Sequence, residues 1–469
     1  MNINSALVYQ NEALFSIENI YKAYRSCRKG KRSTHNAMVF EQNLEENLFD
    51  LRHQLIAGIY QPKRSIAFLV EKPKRREIFA ADFSDRVVHH LLVRYLEPKW
   101  ESRFIHDSFA CRKNKGTLGA VERLTAFSRK VTNNNTQKAY YLQLDIRGFF
   151  ININRSLLYQ RLQTKEKNQA ILWLIKQVLF NEPTDNCLLK GKKSRFLSLP
   201  EHKTLFKAKV DCGLPIGNLS SQFFANVYLD ALDQFVKHQL KVKYYLRYCD
   251  DFIICSQNKF QLTQYQQQIE TFIRQQLNLE LNPKQILKPI SNGMDFLGYI
   301  IRPNYRLVRN RVIGNCYEKL AKAEKQLIQQ GLNTTDSRLT IPWDWTLLPK
   351  LQQTVNSYFS HFSKANSFRL IHKLLKRFNW LGYYFHFVTK NKQCLGFIKY
   401  SSGRYFYSLK QQIKFFTKQL KDAICIFQVG NKNVVYSPSR TQNLFTCWIK
   451  QTNDFCGLIR MRQLVWQRK

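Results

Sequence analysis

An α+β fold is predicted by three features of the sequence. Apolar runs of strand length alternate with stretches of helical period over the first ~300 residues, several of these runs meet in hairpin-like turns, and the pattern becomes helical beyond about residue 310. The chain has 469 residues, enough for more than one structural unit.

Residues 14–60 place Phe40, Leu44, Leu48, Leu51 and Leu55 at roughly helical spacing and stop at Gly58 and Pro62. "SIAFLVEKPKRREIFAADF" reads as two short strands joined by the basic turn Lys72-Pro-Lys-Arg-Arg76, and "SDRVVHHLLVRYLEPKW" as a helix capped by Ser84 or Asp85. "AYYLQLDIRGFFININRSLL" predicts a strand, a turn at Gly148 and a helix entered near Asn154. "DCGLPIGNLSSQFFANVYLDALDQFVKHQL" is a loop leading into an amphipathic helix from about Leu219, and "YYLRYCDDFIICS" is a hairpin whose strands meet at Asp250-Asp251. A Gln-rich helix and short strands around "LNPKQ" and "FLGY" follow. Farther on come two helical stretches, separated by a Pro-Trp loop near Ile341–Trp345, and a basic, aromatic tail that includes Trp448 and Trp466.

Charge narrows the class of partner. The chain carries 74 Lys+Arg against 33 Asp+Glu, a net +41, with a pI near 9.9. The excess is spread along the sequence, as in "RSCRKGKR" at residues 25–32, and is self-repelling unless a polyanion neutralises it. Nucleic acid fits better than a membrane surface, since no basic amphipathic helix dominates. The 11 cysteines form no C-x-x-C pair, which argues against a disulfide framework or a zinc ribbon. The first residues lack a basic segment followed by an apolar one, and no apolar run approaches the ~18–20 residues of a membrane span. A soluble, cytoplasmic protein without membrane partners is therefore expected.

The adjacent carboxylates Asp250 and Asp251 sit inside an otherwise apolar hairpin, where like charges are costly to bury. A hairpin tip in water would explain the pair alone. A third carboxylate, Asp145 in "YYLQLDIRGFF", also ends an apolar strand just before a turn. Three carboxylates at neighbouring strand ends suit two Mg²⁺ ions, and metals about 3.5–4 Å apart serve in-line phosphoryl displacement.

"LDIRGFF" and "YCDD" resemble the two catalytic motifs of reverse transcriptases. The likeness runs through residues 40–375, with "KPKRREIFAADFSDRVVHHLL", "DSFACRKNKGTLGAV", "GLPIGNLSSQFFANVYL", "LNPKQ" and "FLGY" in family order. It implies a right-hand polymerase fold: an N-terminal helical segment (1–60), fingers and an antiparallel palm sheet backed by helices (61–310), a helical thumb (311–392) and a basic aromatic C-terminal extension (393–469). The chain is expected to be an RNA-directed DNA polymerase that uses deoxynucleoside triphosphates and two Mg²⁺ ions, with Mn²⁺ as an alternative, and makes a DNA product. Its rival is a non-catalytic, maturase-like RNA-binding protein that keeps the fold; an RNA-templated RNA polymerase is disfavoured by Phe150.

By the same resemblance, Asp145 and Asp250 bridge the metals, Asp251 supports the one that activates the primer hydroxyl, and the Ile146 carbonyl is a further ligand. Phe149 and Phe150 belong to the nucleotide pocket, with Phe150 as the gate beneath the sugar. Arg76, helped by Lys74, grips the triphosphate, since a guanidinium fork meets phosphate oxygens bidentately. Arg112, Lys113 and Lys115 follow the template backbone, and Lys284 protonates the leaving pyrophosphate. His89 and His90 are read as packing or backbone-contacting residues.

One departure narrows the resemblance. Many members have Gln before the loop glycine and Pro after its serine, whereas this chain has Ile216, Gly217 and then Gln222. Such a loop resembles diversity-generating retroelement enzymes and the bacterial reverse transcriptases of antiphage defence. It implies poor base discrimination, because an apolar contact does not test donors and acceptors. Either setting implies a dedicated template or noncoding structured RNA, with an accessory protein or an oligomeric assembly as further partners.

Overall fold

The computed structural model describes residues 12–71, 74–329, 333–335, 338–340, 344, 346–390, 393–399, 425–429 and 432–436. The chain divides into two compact units, Met1–Leu297 with Ile301–Asn304, and Gly298–Ile300 with Tyr305–Lys469.

In the first unit, α1 (Ile17–Arg28), α2 (His35–Gln42) and α3 (Leu44–Ile56) bury the apolar positions expected of them, including Phe40, Leu48, Leu51 and Leu55. Strands β1 (Ile66–Val70) and β2 (Arg76–Ala80) pair antiparallel, so Arg76 opens a strand at the end of the basic turn. The long helix α4 (Phe83–Glu101) starts two to three residues earlier than expected. Its cap is Asp82, whose carboxylate accepts from the Ser84 amide at 3.0 Å. Asp85 is instead buried and accepts from the Tyr60 hydroxyl and the Lys63 amide. Helix α5 (Thr117–Val131) follows.

The sheet that carries the three aspartates begins with β3 (Tyr140–Asp145). Gly148, at φ +56°, turns the chain into the short α6 (Phe149–Asn152), and Asn154 caps α7 (Arg155–Gln163) as expected. After α8 (Gln169–Leu179), strand β4 (Leu188–Lys190) pairs parallel with β1, making a three-stranded sheet in the order β2-β1-β4. The short α9 (Lys193–Leu197) leads toward α10 (Leu219–Gln234).

Strands β5 (Tyr244–Tyr248) and β6 (Asp251–Ser256) form the expected hairpin, followed by α11 (Lys259–Leu277) and β7 (Ile286–Pro289). The four-stranded order is β5-β6-β3-β7, all antiparallel, which puts β3 and β6 at the centre. Leu142, Leu144, Phe252 and Ile254 point into a core shared with Tyr228 of α10 and Ile269 and Ile273 of α11. Side chains alternate across a strand, so Gln143, Asp145 and Asp251 occupy the opposite face.

The second unit contains α12 (Asn310–Glu324) and α13 (Leu347–Phe362), the two helical stretches read from the sequence, then α14 (Phe368–Arg377) and an antiparallel pair, β8 (Phe385–Lys390) and β9 (Gln393–Lys399). Leu351, Val355 and Phe359 line the buried side of α13 at helical spacing. The Pro-Trp loop, apart from Asp344, and both Trp448 and Trp466 lie outside the described residues. Among the described residues no helix is long and apolar enough to cross a membrane.

Candidate active site

The antiparallel register brings Asp145 directly opposite Asp251, although 106 residues separate them in sequence. Asp250 sits with Cys249 in the two-residue turn between β5 and β6, and its carbonyl accepts from the Ile146 amide at 3.3 Å. Cys249 takes φ +58°, a left-handed conformation that costs a non-glycine residue roughly 1–2 kcal/mol. Strain of this kind persists only where neighbouring groups hold it. One such group is Arg247, whose guanidinium reaches the Cys249 carbonyl at 3.0 Å.

Two residues that the sequence reading passed over hold the carboxylates. Asn282 donates its amide to the Asp145 carbonyl at 2.7 Å and its side chain to Oδ2 at 3.3 Å. Gln143 donates Nε2 to both oxygens of Asp251, at 3.1 and 3.2 Å. Gln143 stands two residues before Asp145 on the same strand face, a period-two position that could have flagged it.

Electrostatics follow from this crowding. Burial, then the Asp250 charge, pushes the Asp145 carboxyl up to about 6, against the pull of Asn282 and Lys74. Burial also raises Asp250, opposed among others by Arg76 and Lys74. Asp251 is pushed up to about 7, mainly by burial, with Gln143 opposing and Asp145, Asp250 and Asp295 adding to the rise. Lys74 and Arg76 are exposed, and their charges reach the aspartates from the β1–β2 turn and the first residue of β2.

Among the described residues no three His, Cys, Asp or Glu side chains are gathered into a ready-made metal cage. The donor set nevertheless suits a hard divalent cation, being all oxygen and mutually repelling. The buried Oε1 of Gln143, beside Asp251, has no hydrogen-bond partner, and such an orphaned acceptor suits a cation or its water.

The Ile216-Gly217 loop, expected from the sequence to line a nucleotide pocket, is stitched to the strand that carries Arg76. The Phe79 amide donates to the Ile216 carbonyl at 2.8 Å. Gly217, at φ +133°, lies so close that a Cβ would meet the Phe79 carbonyl oxygen at 2.6 Å. Gln222 is exposed on the first turn of α10, and Ile216 is half-buried. Phe150 is half-buried and its carbonyl accepts from Leu214 at 2.7 Å. Phe149 differs from the expectation: it is 2% exposed and belongs to the core, because the Gly148 turn directs only the second aromatic toward the surface. Lys284 is exposed, and its amide donates to Asn282 Oδ1 at 3.2 Å. His89 is a core residue, 2.7 Å from Ser220 Oγ, with burial pushing it down to about 3; burial lowers His90 to about 4.

The basic residues expected along the template are engaged otherwise. The guanidinium of Arg112 is buried on both oxygens of Glu101 and on the Ile105 and Ser108 carbonyls, leaving it no fork for phosphate. Its partner lies eleven residues upstream on α4, so the local sequence shows the charge and hides the counter-charge. Lys113 pairs with Glu97 at 2.7 Å, and Lys115 donates to the His106 carbonyl at 2.9 Å.

The reverse transcriptase (RNA-dependent DNA polymerase) family model matches residues 62–301. Protein YkfC of Escherichia coli (strain K12) is 22% identical over 323 residues, which covers 61% of this chain and 80% of YkfC. Among solved structures, apo telomerase of Candida tropicalis, truncated from its C-terminal domain, has TM-score 0.40 at 15% identity, covering 52% of this chain and 55% of that one. Telomerase of Candida albicans with a fragment of telomeric RNA has TM-score 0.36 at 12% identity, covering 70% and 60%. The chain thus spans little more than half the length of these telomerases. The family match takes in both central strands of the four-stranded sheet and all three aspartates, and the chain belongs to the reverse transcriptase (RNA-dependent DNA polymerase) family.

Proposed function

We propose that the protein copies a structured RNA into DNA at the ends of β3 and β6. The observation that carries this reading is the Asp145–Asp251 register, with Asp250 in the adjoining turn. Asp145, Asp250 and Asp251, with the Ile146 carbonyl, would hold two divalent ions, taken to be Mg²⁺ with Mn²⁺ as the alternative. When bound, these supply charge neutralisation for the attacking and leaving oxygens.

The chain's own residues do the rest. Lys74 and Arg76 bind the triphosphate of a deoxynucleotide from the β1–β2 turn and the first residue of β2. The Ile216-Gly217 backbone, fastened to β2, shapes the floor beside the base pair, with Gln222 at its edge. Phe150 lies beneath the sugar and crowds a 2′-hydroxyl. Lys284 delivers a proton to the departing pyrophosphate, help worth roughly 10²–10⁴-fold. Residues 61–310 serve as fingers and palm, 311–392 as thumb and 393–469 as a basic extension after an N-terminal helical segment, 1–60. The apolar Ile216 favours a diversity-generating or antiphage-defence setting in the bacterial cytoplasm, with a dedicated RNA and an accessory protein or further copies.

The deciding experiment supplies the protein with its copurifying RNA, or with primed RNA templates, plus deoxynucleotides and Mg²⁺, beside an Asp250→Asn control. DNA made by the wild type alone supports the reading. Folded, RNA-bound protein that makes no DNA on any primed template favours the non-catalytic RNA-binding alternative.

A further inference from the structure

The cations that the motif comparison assigned to the template are largely engaged, which raises the question of where the free positive charge lies. One dense stretch of it lies between β4 and the loop at Gly217. Residues 190–209 hold seven Lys/Arg against one carboxylate, Glu201, a net +6 over twenty residues. The whole chain averages about one net charge per eleven residues, roughly a third of that density. Lys190, Lys192, Lys193, Lys203, Lys207 and Lys209 are all exposed, and none forms an ion pair among the described residues. Only Arg195 has a counter-charge, Glu71 at 2.7 Å.

This cationic stretch is a built lobe. Strand β4 is paired with β1 from Ile66↔Leu188 to Phe68↔Lys190. Phe196 and Leu205 are buried with Ala67, Phe79 and Ile151. The buried carboxylate of Glu77 accepts from Thr204 Oγ1 at 2.7 Å and from the Leu205 amide at 2.9 Å. Arg75 donates to the Arg195 carbonyl and to Ser198 Oγ. The lobe also abuts the active strand's exit, since a Cβ on Gly148 would meet the His202 carbonyl oxygen at 2.8 Å. A fixed surface of unneutralised like charge raises the energy of the folded chain, and a polyanion removes that cost.

We propose that this lobe is a docking surface for the phosphate backbone of double-helical RNA. The proposal rests on the RNA-copying reading above and adds a second contact for its RNA, outside the nucleotide pocket. Six of the seven cations are lysines, compact point charges suited to phosphates and not to bidentate base contacts. The lobe's aromatics, Phe196 and Phe206, pack edge-to-face at 6.1 Å inside it, so no exposed ring offers a platform for unpaired bases. Leu188, Leu197 and Val210 are exposed singly, as is ordinary for surfaces.

The test uses the full chain and a blunt RNA duplex with no extendable end, its binding followed by fluorescence anisotropy against KCl concentration. Two triple variants are compared with wild type: Lys190→Ala/Lys192→Ala/Lys193→Ala and Lys203→Ala/Lys207→Ala/Lys209→Ala. Each is expected to weaken binding about tenfold near 0.1 M salt and to flatten the slope of log K against log salt by about 2, each lost phosphate contact contributing roughly 0.7–0.9. Turnover at saturating primer–template should not change. An unchanged slope overturns the proposal, as does a loss of turnover without a change in slope, which would make the lobe a support for the active site. Loss of binding to anionic lipid vesicles alone overturns it in favour of a membrane contact. Asp250→Asn protein should keep the lobe-dependent binding. Lobe-dependent binding by a wild type that makes no DNA would sink the polymerase reading and leave the docking surface standing.

Discussion

The guanidinium of Arg247 donates a 3.0 Å hydrogen bond to the carbonyl of Cys249, the left-handed residue in the turn that presents Asp250. Its other N–H groups reach Asp233 at 2.8 and 2.6 Å, Asn226 Oδ1 at 3.3 Å and Ser108 Oγ at 3.1 Å. Both Arg247 and Asp233 are fully buried. A buried pair of this kind contributes little net stability against an apolar substitute, but breaking one side leaves a stranded charge that costs about 3–5 kcal/mol. Its five-way geometry ties α10 and the segment before α5 to the turn.

Arg247→Met should therefore destabilise the protein by about 3–5 kcal/mol in urea unfolding. The pair Arg247→Met/Asp233→Leu should recover much of that stability, because no lone charge remains. It should not recover turnover, because the Cys249 carbonyl still lacks its donor. Recovery of both would show that Arg247 serves the fold alone.

The raised carboxyls set a pH dependence with a definite sign. Asp251, near 7, and Asp145, near 6, keep protons in the metal-free folded state over a range where the unfolded chain has released them. The folded state then binds more protons than the unfolded one, so metal-free stability falls as pH rises from about 4 to 7. Divalent ions need the carboxylates bare, so their apparent affinity should rise over the same range with protons released on binding. Calorimetric titration of Mg²⁺ in buffers of different ionisation enthalpy measures that release. Asp251→Asn should flatten the slope of Tm against pH in the metal-free protein, and a slope equal to wild type would remove Asp251 as its source.

Gly217 and Gly191 separate close approach from backbone strain. Both have positive φ, +133° and +122°, but a Cβ at Gly191 meets nothing within 4 Å, whereas at Gly217 it meets backbone oxygen at 2.6 Å. Gly191→Ala should cost about 1–2 kcal/mol of strain and leave nucleotide use intact. Gly217→Ala must also pry the pocket loop from β2, and should raise the KM for deoxynucleotide at least tenfold. Equal KM values in the two variants would mean that the stitch to Phe79 does not shape the pocket.

The sequence made the sheet and its aspartates readable because strand alternation, turn residues and a short motif are local signals. The Asn154 cap and the Asp250-Asp251 hairpin were legible for the same reason. Partners distant along the chain were not: the Arg112–Glu101 pair joins α4 to a loop, and the parallel β1–β4 pairing joins segments about 120 residues apart. Choosing Phe150 over Phe149 for the pocket depended on the turn at Gly148, and choosing Asp82 over Ser84 or Asp85 as a cap depended on a shift of two or three residues in helix phase.

The half-buried Phe150 and Ile216 make the pocket's chemistry testable as two separable selections, one for sugar and one for base. Phe150 packs on the core with its ring 5.3 Å from that of Phe149, so the wall it provides is stiff, and trimming it should open space without unravelling α6. Phe150→Ala should raise ribonucleotide incorporation relative to deoxynucleotide by roughly 10²-fold, within the range a well-placed contact can discriminate. Ile216→Gln should leave that ratio alone and lower misincorporation, because it restores a hydrogen-bonding side chain beside the base pair while the Ile216 backbone bond to Phe79 is kept. Single-nucleotide incorporation assays with matched, mismatched and ribose substrates read both effects from the same preparations. A sugar ratio unmoved by Phe150→Ala would return that residue to plain packing, and an error rate unmoved by Ile216→Gln would remove the apolar loop as a source of infidelity.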